Sequence, residues 1–212
     1  GKEITKIKYD YADEFKDGRA RVVLDFKEGL IDKNGKDRTA VCCLSSLNLE
    51  TYDEWKDDKN FLEDVMRFLD NILSEFIEKA PDSFKDAKYS AHRERSVGLG
   101  VMGFHSFLQK NMIPFESVMA KVWNTKIFKY IDQEVNKASK KLAEERGACP
   151  DAAEYGIMER FSNKTAIAPT ASISIICGGS SPGIEPIAAN SYTHKTLSGS
   201  FNVRNKFVNV TT

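Results

Sequence analysis

The stretch of this chain best suited to chemistry is residues 164–183, where small hydroxyl residues are combined with glycine. Lys164 to Ala168 predicts a short buried strand, which Pro169 ends. Hydroxyl side chains then recur at alternate positions: Thr170, Ser172 and Ser174. A glycine- and serine-rich loop, residues 178–183, follows an apolar run. Free backbone N–H groups beside such hydroxyls can hold a phosphate, whereas a strand edge with a surface loop needs no ligand. Both interpretations are open on these residues alone.

The four cysteines and three histidines are the other candidates for chemistry. Cys42 and Cys43 are adjacent, and successive residues of a strand face opposite sides, so they cannot both face one cavity. The alternative for each is plain packing in the core. No Cys-x-x-Cys pair occurs and the histidines are isolated, so we expect no metal site.

Composition excludes several functional classes. Lys+Arg and Asp+Glu both number 31, so no net charge favours binding to nucleic acid. No apolar run approaches the roughly 20 residues that span a bilayer, and the polar residues 1–5 do not resemble a signal peptide. We therefore expect a cytoplasmic protein with neither nucleic acid nor membrane among its partners.

Apolar residues at helical spacing predict two long helices. The first covers residues 60–80, and Asn60 and Glu63 are spaced as a capping box at its start. The second covers residues 117–146 and ends at Gly147. Strand-like segments alternate with the helices, which favours an α/β architecture with a mainly parallel sheet.

Two strand-like segments carry residues of functional interest. Thr39 to Leu44 predicts a short apolar strand that includes both adjacent cysteines. Gly98, Gly100 and Gly103 satisfy the G-x-G-x-x-G pattern of dinucleotide-binding folds, so a dehydrogenase is one functional alternative. The residues before this pattern are charged, however, and close packing between a strand and the helix near residues 104–110 is the preferred interpretation.

Residues 1–37 differ from the rest in their residue pattern, which predicts a β-hairpin. An alternating run at 21–26 precedes the pair Asn34-Gly35, which favours a type I′ turn. Residues 7–36 resemble one unit of the WG-type β-repeat, with Glu28 where the repeat carries tryptophan. The matching positions are Phe15, Gly18, Ala20, Val22, Gly29, Ile31, Asp32 and Gly35. One unit cannot bury its own face, so we expect it to dock on the rest of the chain.

From Thr39 to about Phe207 the sequence closely resembles the catalytic large subunit of ribonucleotide reductases, especially class I enzymes of phage type. The motifs that carry the resemblance are Ala40–Leu49, Arg93-x-x-Ser-Val-Gly-Leu-Gly-Val101, Leu142–Pro150, Ala168–Ser174, Gly183–Pro186 and Lys195–Phe201. The resemblance implies an α/β fold that is part of a ten-stranded barrel. Residues 38–212 would then form a partial barrel domain behind the N-terminal segment 1–37.

The resemblance also implies roles for particular residues. In this family a thiyl radical removes the 3′ hydrogen of a ribonucleoside diphosphate, the 2′ hydroxyl leaves, and a cysteine pair supplies two electrons by forming a disulfide. Cys42 matches the later cysteine of that pair, with Cys43 turned away. The segment that binds the substrate diphosphate matches Pro169, Thr170, Ala171, Ser172 and Ile173. The radical is implied to come from a metal-containing small subunit, with thioredoxin or glutaredoxin as reductant and no cofactor bound directly by this chain.

The sequence departs from the family pattern where the radical cysteine is expected. That cysteine stands in an Asn-x-Cys-x-Glu context shortly before the strand of Cys42, whereas residues 1–37 hold no cysteine. The earlier reducing cysteine, the effector sites, the tyrosines of the radical path and the C-terminal cysteine tail have no counterparts either. We therefore expect the isolated chain to be inactive and to need the rest of the large subunit. The rival hypothesis is a non-catalytic binding or assembly protein derived from a reductase fragment.

Overall fold

A computed structural model describes residues 9–24, 27–196 and 199–208, which contain α-helices and three small sheets. The strands are β1 (Tyr11–Ala12), β2 (Arg19–Leu24), β3 (Lys27–Asp32), β4 (Asp37–Arg38), β5 (Leu44–Asn48), β6 (Gly98–Met102), β7 (Ser191–Thr196) and β8 (Gly199–Arg204). The α-helices are α1 (Tyr52–Trp55), α2 (Phe61–Lys79), α3 (Lys85–Glu94), α4 (Phe104–Lys110), α5 (Val118–Arg146), α6 (Pro150–Ala153) and α7 (Ile173–Ile176). Short 3-10 turns occupy Leu49–Thr51 and Asp82–Phe84.

The N-terminal segment forms a four-stranded antiparallel sheet, in the order β1-β2-β3-β4, that contains the predicted hairpin. The sheet extends to Arg38, one residue beyond the predicted boundary. The predicted type I′ turn is wrong, because that turn needs positive φ at both central residues and only Gly35 of the pair has it, at 73°. Instead the Asp32 carboxylate accepts the N–H groups of Asn34 and Lys36 and shapes a longer loop.

This sheet docks on the rest of the chain mainly through charged side chains. Among its described side chains, the buried hydrophobic ones are few: Ala20, Val22 and Ile31. The buried Arg38 guanidinium donates two hydrogen bonds to the carboxylate of Asp151 in α6, at 3.1 and 3.3 Å. The Tyr89 hydroxyl on α3 donates to Asp32 at 2.6 Å. The docking that the repeat-like pattern predicted is therefore present, and it rests on ion pairs as well as packing.

The predicted strand at 39–44 lies too early in the chain. Strand β5 begins at Leu44, where it pairs in parallel with Gly98 of β6. The strand starts there because β6, its pairing partner, itself begins at Gly98, whose N–H donates to the carbonyl of Cys43. The expectation of a mainly parallel sheet is also wrong within the described residues. The β5–β6 pair is parallel, whereas the other two sheets are antiparallel and built from strands close in sequence.

Residues 164–168 run beside β6 but do not form the buried strand that the sequence predicts. They make a single parallel bridge, Leu99 to Thr165, and residues 165–167 are exposed. The approach is close, since a Cβ on Gly100 would lie 2.1 Å from the carbonyl oxygen of Ala166. The glycines therefore permit close packing as predicted, although the partner is this segment. Because Gly98 and Gly100 lie within β6 and only Gly103 follows it, the three glycines do not form a dinucleotide-binding turn.

The two predicted long helices are confirmed as α2 and α5, which pack against each other in the main core. The Ser117 hydroxyl caps α5 by accepting the N–H of Ala120. The predicted capping box of α2 does not form, because the Glu63 carboxylate binds Arg67 and Lys141 at 2.8 and 2.7 Å. In the part of the chain that is described, no helix has the length and apolar character needed to cross a membrane.

A buried carboxylate joins α2 to the elements around it. Asp70 on α2 is fully buried and accepts hydrogen bonds from three arginines: Arg95, Arg146 and Arg160, at 2.6, 2.7 and 2.9 Å. Burial acts to raise the pKa of Asp70, but the hydrogen bonds and charges of these guanidiniums hold it below its usual value. The Asp70 carboxylate on α2 therefore binds the ends of α3 and α5 and the chain at residue 160.

Candidate active site

Residues 169–173 form a tight turn that leads into α7, and we call it the anion loop. Thr170 has a φ of 51°, in the left-handed region that β-branched residues rarely adopt. Its carbonyl oxygen accepts the N–H of Ser174 at 3.0 Å, and its hydroxyl accepts the N–H of Gly183 at 2.8 Å. Contacts on both sides thus hold Thr170 in a costly conformation, which is a pattern common at functional sites.

The anion loop carries backbone donors that the fold leaves unused. Within the described residues, the N–H groups of residues 170–173 make no hydrogen bond to the chain. Ala171, Ser172 and Ile173 are exposed. Successive N–H groups of this kind can bind the oxygens of a phosphate. The loop therefore has the donors that an anion requires without any lysine or arginine of its own.

The hydroxyls that the sequence placed at alternate positions have different tasks. The Thr170 hydroxyl is an acceptor for Gly183, and the buried Ser174 hydroxyl donates to the carbonyl of Ala171 at 3.4 Å. Ser172 is exposed and faces no described partner. Two of the three hydroxyls therefore shape the loop, and Ser172 is left as a possible ligand donor beside the backbone N–H groups.

The glycine- and serine-rich segment that follows α7 is anchored in the core. Ser181 and Ser106 of α4 each accept the other's N–H with their hydroxyls, at 3.1 and 2.8 Å. The N–H of Gly103 donates to the Ser181 carbonyl at 2.7 Å. Ser180 and Ser181 are buried, so the segment is not the surface loop that one interpretation of the sequence predicted. Ser106 was not identified from the sequence, where a lone serine in an apolar helix gives no signal of its own.

His105 supports the segment after this loop. Its Nδ1 accepts the N–H of Ile187 at 3.0 Å, and its ring packs against Phe115. Burial lowers the pKa of His105.

A cleft of about 250 Å³ lies between α7 and the β7–β8 hairpin. Its lining includes Ala171, Ser174, Glu185, Ile187, Tyr192 and Arg204.

The four cysteines are free and differ in accessibility. Cys42 is exposed, whereas Cys43 is buried and directs its thiol toward the carbonyl of Leu69 at 3.8 Å. Burial raises the pKa of Cys43 and of Cys149, which keeps both thiols protonated. Cys42 and Cys177 are the two exposed thiols. The adjacent cysteines therefore face in different directions, as predicted from alternation along an extended chain.

The structure gathers the five residues of the anion loop but sets Cys42 apart from them. Cys42 lies just before the amino end of β5. The anion loop follows residues 164–168, which run parallel to β6, and so it lies beyond the opposite end of the parallel pair. A ligand that reached both would extend lengthwise along the strands.

Comparison with known proteins identifies the family of this chain. The family model described as the ribonucleotide reductase barrel domain matches residues 27–155 and 150–211. The chain belongs to this family. The match begins in β3, so it includes the last part of the N-terminal segment.

Individual relatives agree with the family match. The chain is 52% identical over 171 residues to the ribonucleoside-diphosphate reductase large subunit of Invertebrate iridescent virus 6, a match that covers 81% of this chain and 18% of the viral protein. A vitamin B12-dependent ribonucleoside-diphosphate reductase from Thermoplasma acidophilum is 40% identical, over 74% of this chain and 21% of that protein.

A solved structure supports the same assignment. The class Id ribonucleotide reductase alpha subunit of Actinobacillus ureae matches with a TM-score of 0.67 and 42% identity, covering 74% of this chain and 30% of that one. This chain therefore spans between about a fifth and a third of these relatives. It is an α/β portion of the reductase barrel, and its described strands do not close into a barrel.

Proposed function

We propose that this chain is part of a ribonucleotide reductase large subunit and takes part in reducing ribonucleoside diphosphates to deoxyribonucleotides. The observation that carries the proposal is the anion loop, where consecutive unused N–H groups occur in a member of this family. A diphosphate is the substrate group that such donors bind. Pro169, Thr170, Ala171, Ser172 and Ile173 are accordingly assigned to the substrate phosphates.

Cys42 is assigned to the reducing step. Loss of the 2′ hydroxyl as water requires two electrons, which two thiols supply when they lose their protons and form a disulfide. Exposure of Cys42 supports this role, since a redox thiol must be accessible to its partner and to a reductant. Its partner cysteine belongs to another part of the large subunit. Thioredoxin or glutaredoxin then returns the disulfide to two thiols.

The radical that starts the reaction comes from outside this chain. We assign its source to a metal-containing small subunit, as in class I enzymes, with no cofactor held by the chain itself. The Thermoplasma relative is named as vitamin B12-dependent, so this part of the barrel does not by itself select the radical source. The chain then needs two protein partners, the remaining large-subunit polypeptide and the radical generator, and the cytoplasm is its proposed location.

The division of the chain follows from the same proposal. We assign residues 38–212 to the partial barrel domain and residues 1–37 to an accessory β-segment, whose last strand, β4, ends one residue past this boundary at Arg38. Strands β1–β4 contact α3 and α6 through ion pairs and side-chain hydrogen bonds, which supports a separate unit that packs on the barrel portion without adding a strand to it. The accessory segment occupies the place in the chain where the family carries its radical cysteine.

Complementation of activity tests the proposal. Purified chain is assayed for deoxyribonucleotide formation alone, and again with the remaining large-subunit polypeptide of a viral relative and the small subunit. We expect no turnover by the chain alone and turnover in the mixture. Turnover by the chain alone contradicts its incompleteness. A stable complex that never turns over favours the rival, a non-catalytic assembly protein.

A further inference from the structure

The segment after α7 is tied to the end of β5 through an acidic side chain. The Ser180 hydroxyl lies 2.7 Å from Oε2 of Glu50 and 3.1 Å from Oδ1 of Asn48. Asn48 ends β5, and Glu50 lies in the adjoining 3-10 turn. Ser180 is buried and the Glu50 side chain is 18% exposed, so this charge-assisted hydrogen bond is well shielded from water.

Lys206 completes the connection from the other side. Its Nζ lies 2.6 Å from Oε1 of Glu50 and donates to the carbonyl of Gly178 at 2.8 Å. One ammonium group therefore holds both the carboxylate and the backbone of the segment. Lys206 follows β8 and is far in sequence from both partners, so these contacts form only in the folded chain.

These contacts bear directly on the anion loop. The N–H of Ser180 donates to the carbonyl of Ser174, and the N–H of Gly179 donates to the carbonyl of Ile175, both on α7. The anion loop leads into α7 at its other end. Residues 178–180 therefore hold the loop through α7, in addition to the hydrogen bond from the N–H of Gly183 to the Thr170 hydroxyl.

We propose that Glu50 and Lys206 are positioning residues that hold the anion loop in place for the diphosphate of a ribonucleotide. The inference rests on the proposed function, which supplies the ligand. Neither side chain lies in the loop. Glu50 acts through Ser180, and Lys206 acts through Gly178. The connection also joins the loop to β5, the strand that Cys42 precedes, so it fixes the phosphate site relative to the chain that carries the proposed redox thiol.

Titration with inorganic pyrophosphate, followed by amide NMR of residues 170–173 in the full chain, tests this role. Lys206→Met is expected to weaken pyrophosphate binding about fivefold to tenfold, because the charged donor to the carboxylate and to the carbonyl is lost. Lys206→Arg should restore most of the affinity. Glu50→Gln should weaken binding in the same direction while retaining an acceptor for Ser180. Lys129→Met, which removes an exposed lysine from α5, controls for the loss of one positive charge.

The possible outcomes separate the two proposals. Weaker binding in Lys206→Met and Glu50→Gln, with unfolding free energies close to that of the unaltered chain and with Lys129→Met unchanged, supports the positioning role. Equal affinity in all variants overturns that role and leaves the proposed function standing. An unaltered chain that shows no saturable shifts at residues 170–173 overturns both, since there is then no anion to position.

Discussion

At the scale of single residues, the stability of the fold depends strongly on Asp70. It is fully buried, and three arginines converge on its carboxylate. Asp70→Asn removes the charge that balances them and should lower the free energy of unfolding by about 3 kcal/mol, as when a buried ion pair is broken. Urea denaturation at pH 7 measures the loss. Asp64→Asn, at an exposed position of the same helix, is the control, and equal losses in the two variants contradict the role of Asp70.

His105 predicts a pH dependence of stability with a definite sign. Burial lowers its pKa in the folded chain below the unfolded value of about 6.5. The unfolded chain therefore binds more protons, and stability falls as the pH drops from about 6.5 toward the folded pKa. His105→Asn offers an oxygen for the N–H of Ile187 but does not titrate. Urea midpoints at pH 7.5 and 5.5 should differ less in this variant, and an unchanged difference argues against His105 as the cause.

The sequence predicts the properties of single residues in the candidate site only in part. Alternation along the chain shows that Cys42 and Cys43 face apart, but it cannot tell which of them is exposed, because that depends on α2 lying against Cys43. Likewise, residue types suggested a phosphate site within residues 164–183, and the family resemblance narrowed it to residues 169–173. They could not show that Thr170 adopts a positive φ or that its hydroxyl is used by Gly183, since both depend on contacts far along the chain.

At the scale of elements, the approach of residues 164–168 to β6 depends on Gly100. A Cβ there would meet the backbone oxygen of Ala166, which cannot move without displacing the segment that leads into the anion loop. Gly100→Ala should lower the free energy of unfolding by about 1 to 3 kcal/mol. It should also shift the amide resonances of residues 165–173. Gly29→Ala in β3, where a Cβ has ordinary space, is the control. Unshifted amide resonances in Gly100→Ala show that the close approach is not needed.

Helices and strands that depend on nearby residues were predicted correctly, and those that depend on distant residues were not. Helix α5 is set by its own apolar spacing and by the capping Ser117, and its bounds agree with the prediction. Strand β5 depends on β6, about 50 residues later, and the apolar run at 39–44 therefore misplaced it. The capping box of α2 failed for a similar reason, because Glu63 binds Lys141 of α5. In each case a distant partner overrode a local pattern.

For the molecule as a whole, the exposed apolar side chains agree with a portion of a larger barrel. Leu44 at the start of β5 is 45% exposed, and Ile176 at the end of α7 is 83% exposed. Ile173 and Ile175 of the same short helix are also exposed, and such a cluster of exposed apolar side chains is typical of an interaction site. We expect the remaining large-subunit polypeptide to cover them.

The contacts of the docked N-terminal sheet could not be predicted in detail, because ion pairs such as Arg38 with Asp151 have no signature in a single sequence.

The central claim is that this portion of the barrel supplies a reducing thiol to a shared active site. The most direct test compares Cys42→Ser with Cys177→Ser, which alters the other exposed thiol, in the complemented enzyme. Deoxyribonucleotide formation is measured over many turnovers with thioredoxin present. The account predicts that Cys42→Ser loses at least about 99% of multiple turnover, because the disulfide cannot form, while Cys177→Ser remains active. Full and sustained turnover by Cys42→Ser contradicts it.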